Sequence, residues 1–140
     1  MNKEVPVSEI MSTKLVTIHP TQSLYEAKKL FHRYNIRHLP VVEKNKLVGM
    51  ISYTDILRIS FADLDENDES IIPMIYEMYS IPQIMTRVPV FVEATTSIKE
   101  TAEILAHQSF HSLPVLEEGK LVGIVTTTDL INYLLDQYQD

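Results

Sequence analysis

One feature constrains this chain more than any other: residues 10–57 align with residues 84–131 at a constant offset of 74, without a gap, and 16 of the 48 positions are identical. Ile10 and Met11 match Ile84 and Met85, Leu39-Pro40-Val41 matches Leu113-Pro114-Val115, Lys46 to Gly49 matches Lys120 to Gly123, and Thr54-Asp55 matches Thr128-Asp129. A gapless duplication obliges both halves to adopt the same local fold. Units this short bury little surface alone, so at 140 residues the chain is expected to form one compact body or two interdependent lobes, not a multidomain enzyme.

Each copy has the same local grammar. A β-branched run, Leu15 to Ile18 or Val88 to Val92, predicts a short strand. Ser23 with Glu26, and Ser97 with Glu100, have the spacing of a helix-opening capping box. The helix that follows places Leu24, Ala27, Leu30, Phe31 and Tyr34 on one stripe in the first copy, and Ile98, Ala102, Leu105 and Phe110 in the second. Two apolar runs then flank Lys44-Asn45 or Glu118-Gly119, which predicts a hairpin with a tight turn. A second helix begins near Asp55 or Asp129, with Leu130, Ile131, Leu134, Leu135 and Tyr138 at helical spacing in the second copy. The unit is β-α-β-β-α. Between the copies, Asp63 to Glu69 reads as a solvated acidic loop, and Ile71 to Tyr79 as a connecting helix that packs one copy against the other. The acidic loop lacks the glycine and the spaced terminal glutamate of a calcium loop, so no metal site is expected.

Composition excludes several function classes. Hydrophobic residues make up 45% and charged residues 22%, which suffices for a core. The net charge of −7 opposes a general polyanion-binding surface and argues against nucleic acid as a partner. With no cysteine there is no disulfide, thiolate metal site or cysteine nucleophile. No run approaches the length of a membrane span and the amino terminus lacks an apolar signal core, so a cytoplasmic protein without membrane contact is expected. No G-x-S-x-G, P-loop or H-E-x-x-H occurs, and His107 and His111 have no accompanying acidic ligand, so neither catalysis nor zinc is expected.

The residues best suited to chemistry precede the second helix of each copy, in GMISYTD (49–55) and GIVTTTD (123–129). A strand that ends in hydroxyls where a helix begins offers backbone N–H groups and the positive helix end to an anion. Ser52, Thr54, Thr126 and Thr128 can donate to phosphate oxygens, while Asp55 and Asp129 suit the two adjacent hydroxyls of a ribose. Phosphate plus ribose means a nucleotide. The same spacings also serve pure helix capping, and that alternative stands beside the nucleotide reading. Arg37 and His38 in the first copy, and His111 beside Ser112 in the second, add positive charge ahead of the hairpin, more of it in the first copy. A base would need an apolar slot, drawn from Ile10, Val16, Leu39 and Val41 or from Ile84, Val90, Leu113 and Val115, unless these serve only as core.

The segments IMSTKLVTI and IMTRVPVFV, RHLPVV and HSLPVL, KLVGMISYTD and KLVGIVTTTD, in this duplicated order, resemble the cystathionine-β-synthase (CBS) domain pair over nearly the whole chain, as in a stand-alone tandem CBS protein. The resemblance implies an α/β (α+β) fold of tandem β-α-β-β-α motifs packed with pseudo-two-fold symmetry. It divides the chain into motif 1 (1–62), an acidic loop with connecting helix (63–79) and motif 2 (80–140). It also implies two clefts between the motifs that bind adenosyl compounds such as AMP, ADP, ATP, NAD or S-adenosylmethionine. By position, it assigns ribose to Asp55 and Asp129, phosphate or ribose to Ser52, Thr54, Thr126 and Thr128, phosphate to Arg37, His38 and His111, and the base pocket to Ser12, Thr17, Thr86 and Phe91. Phe91 is bulky enough either to stack on adenine or to block its cleft, and Ser112 lacks the basic group some members carry there. The function implied is a regulatory, energy-sensing module that requires no cofactor, forms a homodimer and signals to an unidentified regulated protein. A structural dimerisation module without ligand is the alternative.

Overall fold

The structure is a computed structural model that describes residues 4–62, 76–87, 90–109 and 111–138, with backbone only at 60–62. The chain divides into two compact units, one formed by Val16–Pro89 and the other by Met1–Leu15 together with Val90–Asp140. These limits differ from the repeat boundaries at 62 and 80, because the segment ahead of each repeat's first helix is divided between the units.

In the unit of Val16–Pro89, helix α1 (Leu24–Tyr34) is followed by a hairpin of β1 (His38–Glu43) and β2 (Lys46–Ser52), then by α2 (Tyr53–Ala62), the short α3 (Ile81–Ile84) and β3 (Thr86–Arg87). The three strands form an antiparallel sheet in the order β1-β2-β3. Ser23 opens α1 by accepting the Glu26 N–H at 3.0 Å, and Asn35 closes it in the left-handed region at φ 51°. The buried stripe of α1 is Leu24, Ala27 and Phe31, which packs with Ile18, Leu39, Val41, Ile51, Ile56, Tyr76 and Ile81. Full burial of each of the leucine, isoleucine, valine and phenylalanine side chains contributes about 1.5–3 kcal/mol. Tyr34, expected on that stripe, lies at its edge in the last residue of the helix and is 48% exposed.

In the other unit, a 3-10 turn at Val7–Glu9 precedes β4 (Val92–Glu93), α4 (Ile98–Ala106), a hairpin of β5 (Ser112–Glu117) and β6 (Lys120–Thr126), and α5 (Thr127–Asp136). The strand order is β4-β5-β6, with β4 parallel to β5. Val7, Val92, Ala94, Leu105, Leu113, Val115 and Val125 form its core. Thr101, which the periodicity passed over, is fully buried in place of Ala102, and its hydroxyl donates to the Ser97 carbonyl at 2.9 Å.

Both hairpins turn on two residues of positive φ, Lys44 and Asn45 (50° and 65°) or Glu118 and Gly119 (51° and 78°), as the spacing predicts. Both carry an irregularity at the same place, between Val41 and Val42 and between Val115 and Leu116. The predicted first strands are shorter than expected. Leu15 to Ile18 reduces to a single parallel bridge from Ile18 to Val41, and of Val88 to Val92 only Val92 lies in a strand, with Val88 and Pro89 outside the described residues. The acidic run at 63–69, most of the proposed connecting helix and Phe110 also lie outside them; Tyr76 to Met78 are helical, and Tyr76 joins the core of the first unit.

The segments that replace those strands explain the unit limits. Met85 and Thr86 close over Gly49 and Met50, whereas Met11 and Ser12 close over Gly123 and Ile124. Each repeat's I-M-[ST] segment therefore completes the sheet built from the other repeat's hairpin. Ser12 and Ile124 exchange both backbone hydrogen bonds, at 2.8 and 3.0 Å. Among the described residues no helix is long and apolar enough to cross a membrane.

Candidate nucleotide site

The motif before each second helix folds into a reciprocal cap. In the first repeat, the Asp55 N–H donates to Ser52 Oγ (3.0 Å) and the Ser52 N–H donates to Asp55 Oδ2 (2.9 Å). In the second, the Asp129 N–H donates to Thr126 Oγ1 (3.1 Å) and the Thr126 N–H donates to Asp129 Oδ2 (2.8 Å). A cap of this kind contributes about 1 kcal/mol, so the capping role of these residues is real.

The cap does not exhaust the site. The first N–H of α2, from Tyr53, donates to the Arg37 carbonyl at 2.8 Å, and that of α5, from Thr127, donates to the His111 carbonyl at 2.9 Å. These bonds tether Arg37 and His111 to the helix starts. The second N–H, from Thr54 or Thr128, has no partner among the described residues, and both threonine side chains are exposed. Ser52 and Thr126 use their oxygens as acceptors and keep a hydroxyl proton to donate. Each aspartate accepts the cap bond at Oδ2, which leaves Oδ1 and the second lone pair of Oδ2 as acceptors for a vicinal diol. Asp55 Oδ1 lies 3.8 Å from the exposed Arg58 guanidinium, a loose surface pair, and Asn132 occupies the equivalent position beside Asp129.

The predicted residues gather by unit. Thr17, Arg37, His38, Ser52, Thr54, Asp55 and Thr86 belong to the first, and Ser12, Phe91, His111, Thr126, Thr128 and Asp129 to the second. Ser12 and Thr86 join the unit of the opposite repeat, beside the strand that leads into its motif. Thr17, Arg37, His111, Ser12, Thr86 and Phe91 are exposed, Phe91 by 44%, while His38 is half-buried at the start of β1. Ser112 is buried. Of the proposed base-slot residues, Leu39, Val41, Leu113 and Val115 are wholly enclosed and serve as core, which leaves Ile10, Val16, Ile84 and Val90 with accessible surface.

Tyr53 was not singled out from sequence. It opens α2 with its ring edge-on to Phe31 (5.7 Å) and His32 (5.6 Å), so an aromatic group stands beside the first motif where the second has Thr127. The one available signal was its place between the motif's two hydroxyl residues. Among the described residues no cluster of three or more metal-binding side chains occurs.

The chain shares its sequence pattern and its fold with known proteins. The chain is 31% identical over 130 residues to uncharacterized protein MJ1225 of Methanocaldococcus jannaschii, a match that covers 92% of this chain but 42% of that longer protein. The solved structure of CBSX2, an Arabidopsis thaliana protein, in complex with AMP is similar over 96% of this chain and 99% of that one, with a TM-score of 0.80 and 26% identity. The CBS domain pair of protein MJ0100, in complex with 5′-methylthioadenosine and S-adenosyl-L-methionine, matches over 96% and 98% with a TM-score of 0.76 and 28% identity. The CBS domain family model matches twice, at residues 7–62 and 81–136, the two halves that the duplication defines, and the chain belongs to the CBS domain family as a tandem pair.

Proposed function

We propose that this chain is a regulatory module, not an enzyme, that binds an adenosyl ligand (AMP, ADP, ATP, NAD or S-adenosylmethionine) at the helix-start motifs and passes the resulting change to a regulated protein or a dimer partner. One observation carries the reading: at the same position in both repeats, an N–H without a partner among the described residues and an exposed threonine hydroxyl stand beside a carboxylate whose Oδ1 takes no part in the cap. Donors for phosphate and an acceptor for ribose are thus adjacent. The similar proteins solved with AMP and with S-adenosyl-L-methionine support the ligand class. Arg37 and His38 favour the more highly charged guest in the first repeat, and His111 a less charged one in the second. Ser12, Thr17, Thr86 and Phe91 supply contacts to the base. A ligand shifts an equilibrium only through different affinity for its two arrangements, so signalling requires a partner that distinguishes them. The setting proposed is cytoplasmic.

The self-sufficient caps favour a second reading, a dimerisation module whose threonines only start helices. A thermal-shift panel of AMP, ADP, ATP, NAD, S-adenosylmethionine and deoxy-AMP separates the two. A ligand at a hundred times its Kd adds about 2.7 kcal/mol, or about 5–11 °C in Tm for this size. Silence across the panel leaves the dimerisation reading. With binding, Asp129→Ala and Asp55→Ala each lower affinity at their own motif by about 10- to 100-fold, the equivalent of one charge-assisted hydrogen bond. Both substitutions also remove a cap, so affinity is titrated well below Tm. Equal binding of AMP and deoxy-AMP removes the ribose role of the aspartates.

A further inference from the structure

We propose that the outer face of α1 is a docking surface for an acidic, carboxylate-bearing segment of a partner protein. In a chain of net charge −7, this face gathers Lys28, Lys29, His32 and Arg33. Each full cation lies over an aromatic ring: Lys29 Nζ is 4.8 Å from the Tyr25 centroid, Lys28 Nζ 5.6 Å from Tyr76, and the Arg33 guanidinium 5.5 Å from Tyr34. His32 is held edge-on to Tyr53. None of the three cations forms an ion pair among the described residues. The carboxylate on the same helix, Glu26, accepts from Gln22 Nε2 at 2.7 Å. Among the described residues the face therefore carries three cations and a histidine without a direct ion pair, Glu26 being the one carboxylate within electrostatic reach, of Lys29. The cations rest on ring faces, which lowers the entropy lost when they meet a partner.

The duplication supplies an internal control. At the positions of Tyr25, Lys28, Lys29, His32, Arg33 and Tyr34, helix α4 and the residues after it carry Lys99, Ala102, Glu103, Ala106, His107 and Gln108. There the lysine and glutamate neutralise each other at 2.6 Å and neither tyrosine position keeps an aromatic side chain. Helix formation and sheet packing are met equally by both sequences, so they do not account for the cationic face of α1. Charge complementarity selects an acidic occupant. The ring faces already support ammonium and guanidinium groups and are not offered to nucleobases. Lys29 and Arg33, four residues apart, match glutamates four apart on a partner helix.

The surface lies outside the proposed nucleotide contacts and is tested without nucleotide, so a failed ligand panel leaves the proposal standing. The probe is a short labelled helical peptide with glutamates four residues apart, titrated by fluorescence anisotropy at low salt against the full chain. Binding is expected, with about a tenfold or greater loss for K29E/R33E, a smaller loss for K29Q/R33Q, and no loss for K46E/K120E, which changes net charge as much as the first pair but at the exposed hairpin ends. Circular dichroism checks that the variants fold. Absence of binding, or equal weakening by K46E/K120E, overturns the proposal. So does tighter binding of a single-stranded oligonucleotide or of phosphatidylserine vesicles to the same residues, or self-association of the chain that K29E/R33E abolishes, since the occupant would then be a polyanion, a membrane or a second copy.

Discussion

The exchange of segments between repeats makes a quantitative prediction at Gly49. A Cβ built there would lie 2.9 Å from the Thr86 carbonyl oxygen, 3.0 Å from Met85 Cγ, and closer still to the Met85 sulfur. The thioether can swing aside, but the carbonyl belongs to the β3 backbone, where Thr86 pairs with Met50, so β3 must retreat by about half an ångström to reach ordinary contact. Overpacking of this kind costs about 1–3 kcal/mol. At about 2–4 °C per kcal/mol for a chain of this size, Gly49→Ala should lower Tm by about 2–12 °C. Thermal unfolding followed by circular dichroism reads this directly. A double-mutant cycle then identifies the segment responsible: Met85→Ala should relieve part of the penalty, with a coupling of about 0.5–3 kcal/mol, whereas Met11→Ala should add independently because Met11 lies against Gly123. Coupling of Gly49→Ala to Met11 in place of Met85 would refute the exchange, and an unchanged Tm for Gly49→Ala would refute the close approach itself.

Gly119, by contrast, has open space around its missing Cβ but sits at φ +78°, so Gly119→Ala should cost only the strain of a left-handed residue, about 1–2 kcal/mol in urea unfolding, with no dependence on neighbouring side chains. Leu39 and Leu113 occupy equivalent, wholly buried positions, and truncation of either to alanine should cost about 2–5 kcal/mol in the same assay; a loss below 1 kcal/mol at either would contradict its place in the core. Lys99 holds the Glu103 carboxyl below its usual range through a hydrogen bond and its charge, so the stabilisation from this pair is present above the ordinary carboxylate range and fades as pH falls through the lowered value. Both side chains are exposed, and Glu103→Gln should leave Tm at neutral pH unchanged within error.

Much of this architecture was legible in the linear chain because it depends on local rules. Ser23 and Ser97 start helices, paired residues of positive φ turn the hairpins, and the apolar stripes lie where a period of 3.6 puts them. The two helix-start motifs could be found, and their capping geometry anticipated, because every atom involved lies within three residues. Thr101 was missed because a hydroxyl on a helix can be buried once it bonds to the carbonyl four residues back, and a hydrophobicity pattern does not register that bond. The first strands were overestimated because β-branched residues report a preference for extended backbone, not the presence of a neighbour to pair with.

The amino-acid sequence by itself determined the duplication, the order of elements, the charge balance and the identity of the groups at each helix start. Tertiary structure alone decided which copy each segment completes. Met11-Ser12 and Met85-Thr86 are nearly interchangeable in sequence, and so are the hairpins over which they close. Local propensity treats both assignments alike; the close packing of each methionine over the opposite repeat's glycine distinguishes them. The same holds for the aspartates. Their spacing announces a cap, but only the three-dimensional arrangement shows which oxygen of each accepts the cap bond and that the other takes no part in it.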